Sequence, residues 1–149
     1  MASNQIPLTY RVMFNWIEPI QASIGAFQAY FLAHALAEAE TPNIKYHSGL
    51  QPLYTQKTGA WLLLASHSIV LHYTQDPNLW RLIQVGGLFS DVFYLLSLYE
   101  DRGPARFWST SLWTPNDWAV IIASVLPFAI RIACVAGLGF KKQGKAKTT

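Results

Sequence analysis

Apolar residues gather along the chain into four long stretches separated by short polar segments. The first covers residues 10–36 and is the least apolar, with Asn15, Glu18, Gln21, Gln28 and His34 along it. The second covers 58–73 and the third 79–99. The fourth covers 113–140, and its portion from Trp118 to Pro127 carries no charge. An α-helix needs about 20 apolar residues to cross a hydrocarbon core of about 30 Å. The pattern therefore predicts an all-α chain, with one domain over residues 1–140 made of four antiparallel transmembrane helices, and a basic tail over 141–149. No repeat or signal-peptide pattern accompanies it.

The segments between the stretches agree with this division. Pro42, Gly49 and Pro52 break the chain between the first and second. Gln75-Asp76-Pro77-Asn78 predicts a tight turn, hence a helical hairpin. Glu100-Asp101-Arg102-Gly103-Pro104 predicts a helix end. Trp108, Trp113 and Trp118 then suit an interfacial aromatic belt.

Polar residues inside the stretches recur at helical spacing. Arg11, Asn15, Glu18, Gln21, Gly25 and Gln28 share one face of the first. Gln84, Gly87, Asp91, Tyr94 and Ser97 share a face of the third, and Ser124, Pro127, Arg131 and Cys134 a face of the fourth. The second offers Ser68, His72 and Gln75, with His67 on an adjoining face. Four helices with one polar stripe each predict a bundle with a polar interior and a lipid-facing outside.

Composition supports a membrane chain. Of 149 residues, 52% are hydrophobic and only 13% charged, against about 25% charged in an ordinary soluble domain. Six Trp, seven Tyr and eight Phe exclude a disordered chain. The single Cys excludes a disulfide framework. The net charge of +3 comes from a cluster at Lys141, Lys142, Lys145 and Lys147, which is no nucleic-acid stripe. The positive-inside rule puts that tail in the cytosol, and with four spans the N-terminus too. The ending Lys145-Ala146-Lys147-Thr148-Thr149 is similar to a dilysine retrieval signal, which implies the endoplasmic reticulum membrane. A basic tail that meets anionic lipid is the plainer reading.

A charge inside a span costs about 2.5–3.5 kcal/mol on insertion scales. By the rise of about 1.5 Å per residue, Glu18, His67, Asp91 and Arg131 fall within a slab roughly 10 Å thick. One reading is structural: Arg131 neutralises Glu18 or Asp91 and pins the bundle. The other is catalytic: Glu18 or Asp91 is a proton donor, His67 a relay and Arg131 the electrostatic partner. Such a site protonates an alkene or epoxide, or moves a double bond, in a lipophilic substrate entering from the bilayer. Pro19 and Pro127, beside the charged positions, free backbone carbonyls of the kind tolerated next to a cavity. No phosphate loop, metalloprotease motif or nucleophile elbow occurs, and His67 and His72 are poorly spaced for one metal. No cofactor or metal is expected.

The opening Pro7 to Pro19 (PLTYRVMFNWIEP), the stretch Leu88 to Leu95 (LFSDVFYL), the pair Trp113 and Trp118, and Arg131 followed by Gly137-x-Gly139 resemble a family of small fungal integral membrane proteins. The resemblance covers nearly the whole chain. It implies four spans and, for some members, a place in secondary-metabolite gene clusters. Its charged positions match Glu18, Asp91 and Arg131. The His that follows the Asp in that pattern is absent here, where Val92-Phe93-Tyr94 stands. A looser likeness of architecture is to sterol-isomerase-type bundles. The expectation is a cofactor-free cyclase or isomerase acting on a lipophilic intermediate. The alternative is a non-catalytic scaffold for other membrane-bound pathway enzymes, or a homo-oligomer through Gly86-Gly87 and Gly137-x-Gly139.

Overall fold

The computed structural model describes residues 5–140, and these form helices with no strand among them. Six α-helices follow in order: α1 (Leu8–Val12), α2 (Glu18–Phe31), α3 (Ala33–Glu40), α4 (Gln51–Tyr73), α5 (Pro77–Trp108) and α6 (Pro115–Val135). Two of them, α5 and α6, are long and apolar enough to cross a membrane. The basic tail, including Lys145 and Lys147, lies outside the described residues.

The first stretch is not one straight helix. A π-helical turn over Met13–Ile17 separates α1 from α2. Its cause is Pro19, which has no N–H to bond the Asn15 carbonyl and whose ring crowds that turn, so the backbone widens there. A second break falls at Leu32, with φ −130° and ψ 36°, although Leu32 N–H still donates to the Gln28 carbonyl at 2.8 Å. Neither Pro nor Gly causes it, and nothing local explains it. Beyond it, α3 buries Ala33, Leu36, Ala37 and Glu40, spaced by three or four on one face.

The second helix begins at Gln51, seven residues before its apolar stretch. The third runs to Trp108, but Gly103 sits at φ 71° inside it, so the regular helix stops at Arg102 where the acidic-basic run predicted an end. The fourth starts at a capping box: Asp117 N–H donates to Thr114 Oγ1, and Thr114 N–H donates to Asp117 Oδ2 at 2.9 Å. It ends in a Schellman motif, in which Leu138 N–H bonds the Ala133 carbonyl and Gly137 N–H the Cys134 carbonyl. Gly137 provides the positive φ of 78° that this cap requires. Gly139, at φ 75°, then lies against Pro7. Gly137 thus serves the helix end, and Gly139 the contact with Pro7.

The helices associate as two pairs. α2 lies along α4, and α5 along α6, whereas α4 and α5 share a turn but pack little. The expected hairpin between them is thus a connection without an extensive interface. In the first pair Ala22, Gly25, Ala26 and Ala29 form the buried face of α2, and a Cβ on Gly25 would come within 2.7 Å of the Trp61 ring. Small residues let the backbone of α2 approach that indole closely. At one end of the molecule Ile6, Tyr10, Met13, Phe14, Leu71, Trp80 and Cys134 form a core that joins the pairs, and Tyr10 Oη donates to the Leu138 carbonyl at 2.7 Å.

Large apolar side chains face outward, and several polar and charged ones are buried. Ile20, Ile24 and Phe27 of α2, Leu63 and Ile69 of α4, Phe89 and Phe93 of α5, and Ile122 and Leu126 of α6 are exposed. Buried instead are Glu40, Gln84, Arg102, Asp117 and Arg131. The second stretch departs from its predicted stripe: His72 and Gln75 are exposed, and the inward face of α4 carries Trp61, Leu64 and the buried Leu71.

Candidate functional site

Arg131 is 1% exposed and stands at the junction of the two pairs. Its Nε donates to Gln84 Oε1 at 2.7 Å. Nη1 donates to Asp91 Oδ2 and Nη2 to Glu18 Oε1, both as ion pairs. The guanidinium thus ties α6 to α5 and α2, and its face lies 5.4 Å from the Phe14 ring centroid. Local sequence arranges each contact. Gln84, Gly87 and Asp91 fall at three- and four-residue spacing on α5, and a Cβ on Gly87 would come within 2.6 Å of Arg131 Nε. Only glycine admits the guanidinium there.

The structure brings Glu18, Asp91 and Arg131 together. It does not bring His67 to them by hydrogen bonding. His67 is half-buried on α4, has no hydrogen-bond partner among the described residues and lies off the wall of the cavity described next. No group of three His, Cys, Asp or Glu side chains converges among the described residues as a metal site requires.

Glu18 and Asp91 face a cavity of about 420 Å³ between the helix pairs. Gln21, Gly25 and Gln28 of α2 line it, with Trp61 and Leu64 of α4, Ser90 and Tyr94 of α5, and Ser124 and Pro127 of α6. Pro127 leaves the Ala123 carbonyl without its helical donor, and both residues are on the wall.

Glu40 and Tyr94, also on the wall, belong to a second polar cluster. Glu40, on the buried face of α3, accepts from Tyr94 Oη at 2.6 Å through Oε1 and pairs with Lys57 through Oε2. Lys57 Nζ lies 4.7 Å from the Trp61 ring centroid and 5.2 Å from that of Tyr94. Arg102 donates to the Glu40 carbonyl at 2.8 Å and to Asp117 at 2.9 Å, and Arg106 donates to Asp117 at 2.6 Å. Sequence reading put Glu40 and Lys57 outside the spans and missed this cluster. The signal was present: Ala33, Leu36, Ala37 and Glu40 are on one helix face, as are Lys57, Trp61 and Leu64.

Comparison with known families accounts for most of the chain. Residues 3–141 match the model of a domain of unknown function, DUF7704. The chain belongs to the DUF7704 family. No curated protein and no solved structure matches it. The DUF7704 match includes Glu18, Asp91 and Arg131 as well as Glu40 and Lys57, so both clusters belong to the family domain.

Proposed function

We propose that this DUF7704 protein is a four-span enzyme of the endoplasmic reticulum membrane, serving fungal lipophilic secondary metabolism by acid/base cyclisation or isomerisation of an apolar intermediate. The observation that carries the chemistry is the pair of carboxyl groups, Glu18 and Asp91, on the wall of one cavity with a single guanidinium between them. Two carboxylates and one guanidinium leave a net negative charge. One proton held by the pair makes the cluster neutral, which a low-dielectric site favours. The carboxyl that holds the proton donates it to an alkene carbon or an epoxide oxygen of the substrate. The other carboxylate removes a proton from a neighbouring carbon, and the proton then returns across the pair. The cycle is redox-neutral and draws only on these side chains. Membrane insertion of four helices is supported by the exposed apolar faces of α2, α4, α5 and α6 and by the burial of charge inside.

A non-catalytic membrane scaffold is the second reading, and the bridging of three helices by Arg131 favours it. The two separate in a deletion strain complemented with wild type, Glu18→Gln or Asp91→Asn, with lipophilic extracts compared by mass spectrometry beside the detergent melting temperature. The enzyme reading expects a product lost on deletion, restored by wild type, and absent with at least one variant that melts normally. Full restoration by both variants would sink it.

A further inference from the structure

The charged side chains around the cavity are sorted by sign. Glu18, Asp91 and Glu40 are on its wall, while Arg131, Lys57 and Arg102 are not. Arg131 pairs with Glu18 and Asp91, Lys57 pairs with the Glu40 carboxylate, and Arg102 bonds the Glu40 main-chain carbonyl. A ligand in the cavity therefore meets carboxyl groups paired with cations, beside the neutral Gln21 and Gln28 side chains. At Glu40, the Tyr94 hydroxyl donates its proton to Glu40, so its oxygen can only accept, and the Ser124 hydroxyl beside it donates to the Val120 carbonyl. The charge of Glu40 is already balanced by Lys57. A carboxylate ligand would be repelled there, and an ammonium would compete with Lys57 for a carboxylate already paired. A neutral O–H donor suits the site.

The rest of the wall sets the shape. Glu18 to Gln28 spans ten residues of α2, about 15 Å at the helical rise, and both ends line the cavity. The slot is partly open, and its volume of about 420 Å³ is within the size range of small-molecule sites. Trp61, seated against Gly25, gives it an apolar waist.

We propose that the cavity binds a lipophilic alcohol, with its hydroxyl at Tyr94 and Glu40 and its hydrocarbon along the apolar wall formed by Trp61 and Leu64. The proposal rests on the enzyme reading only for the cavity being a ligand site, and does not depend on proton transfer by Glu18.

The test is binding to the full-length protein in detergent, read as displacement of a tritiated fifteen-carbon isoprenoid alcohol by three unlabelled probes. These are the same alcohol, the corresponding hydrocarbon and the corresponding carboxylic acid at pH 7.5. The alcohol is expected to bind at least tenfold tighter than either of the others. Tyr94→Phe should bring alcohol and hydrocarbon within about threefold of each other. Because this compares two ligands on one variant, a change in stability cancels. Ala123→Phe, which fills the slot, should abolish binding of the alcohol. Displacement is read without turnover, which separates this proposal from the catalytic one. Equal affinity for alcohol and hydrocarbon in wild type, tighter binding of the acid, an intact preference in Tyr94→Phe, or no alcohol binding would each overturn it.

Discussion

Arg131 has three hydrogen-bonding partners on two other helices and almost no access to solvent. Removing one member of a buried ion pair typically costs about 3–5 kcal/mol, because the abandoned charge has no partner. Arg131→Met should therefore lower the detergent melting temperature sharply. Adding Glu18→Gln and Asp91→Asn to it should recover most of the loss, since no unpaired carboxylate is left; continued instability of the triple variant would show that packing of the guanidinium, not its charge, holds the site. Two adjacent glycines offer a sharper contrast. A Cβ on Gly86 meets nothing within 4 Å, whereas one on Gly87 enters Arg131. Gly86→Ala should be neutral or stabilising by about 0.5–1 kcal/mol through backbone entropy. Gly87→Ala should destabilise by about 1–3 kcal/mol through overpacking. Chemical denaturation of the pair side by side checks the sign of each, and equal effects would contradict the close approach at Gly87.

At the scale of elements, the start of α6 depends on Thr114. Its side chain accepts from Asp117 N–H, and Asp117 also receives Arg102 and Arg106. Thr114→Ala should cost about 1 kcal/mol, the usual loss for a helix N-cap, and hydrogen exchange should rise first at the start of α6. The pairing of α2 with α4 depends on Gly25. Gly25→Ala drives a methyl group toward the Trp61 ring, so Trp61 must move, and the cavity it lines should change shape. Altered Trp emission with little change in helical circular dichroism is the expected result; an unchanged spectrum would mean that the ring does not abut Gly25.

For the whole molecule, the arrangement is two helix pairs joined by a core at one end and by ion-paired clusters on either side of a cavity. The orientation we propose follows from charge: the basic tail in the cytosol, and the segment between α3 and α4 in the lumen. In intact microsomes, a tag after Thr149 should be digested by added protease, and a tag between Asn43 and Ser48 should be protected. Protection of the C-terminal tag would reverse the topology. Replacing Lys145 and Lys147 with Ser should release the protein from the endoplasmic reticulum under fluorescence imaging. Unchanged localisation would leave the tail only its contact with lipid.

Periodicity alone determined the helical class, the polar face of α5 and the placing of Glu18, Asp91 and Arg131 at similar depth. Helical spacing and rise are local properties, and an intramembrane charge demands a partner whichever residue supplies it. The helix end at Gly103 was legible for the same reason, because a glycine-proline step interrupts the local hydrogen-bond ladder. Only the tertiary structure decided which helices pair, since each apolar face fits several neighbours equally well. The register between helices decided that His67 stays off the cavity, that Gly87 makes room for Arg131 and that Gly137 caps a helix. Glu40 and Lys57 are distant in sequence and flank a loop, so no local pattern joins them. They meet because α3 returns after the break at Leu32 and sets Glu40 beside α4 and Tyr94, which puts Glu40 on the wall of the site with Lys57 paired to it.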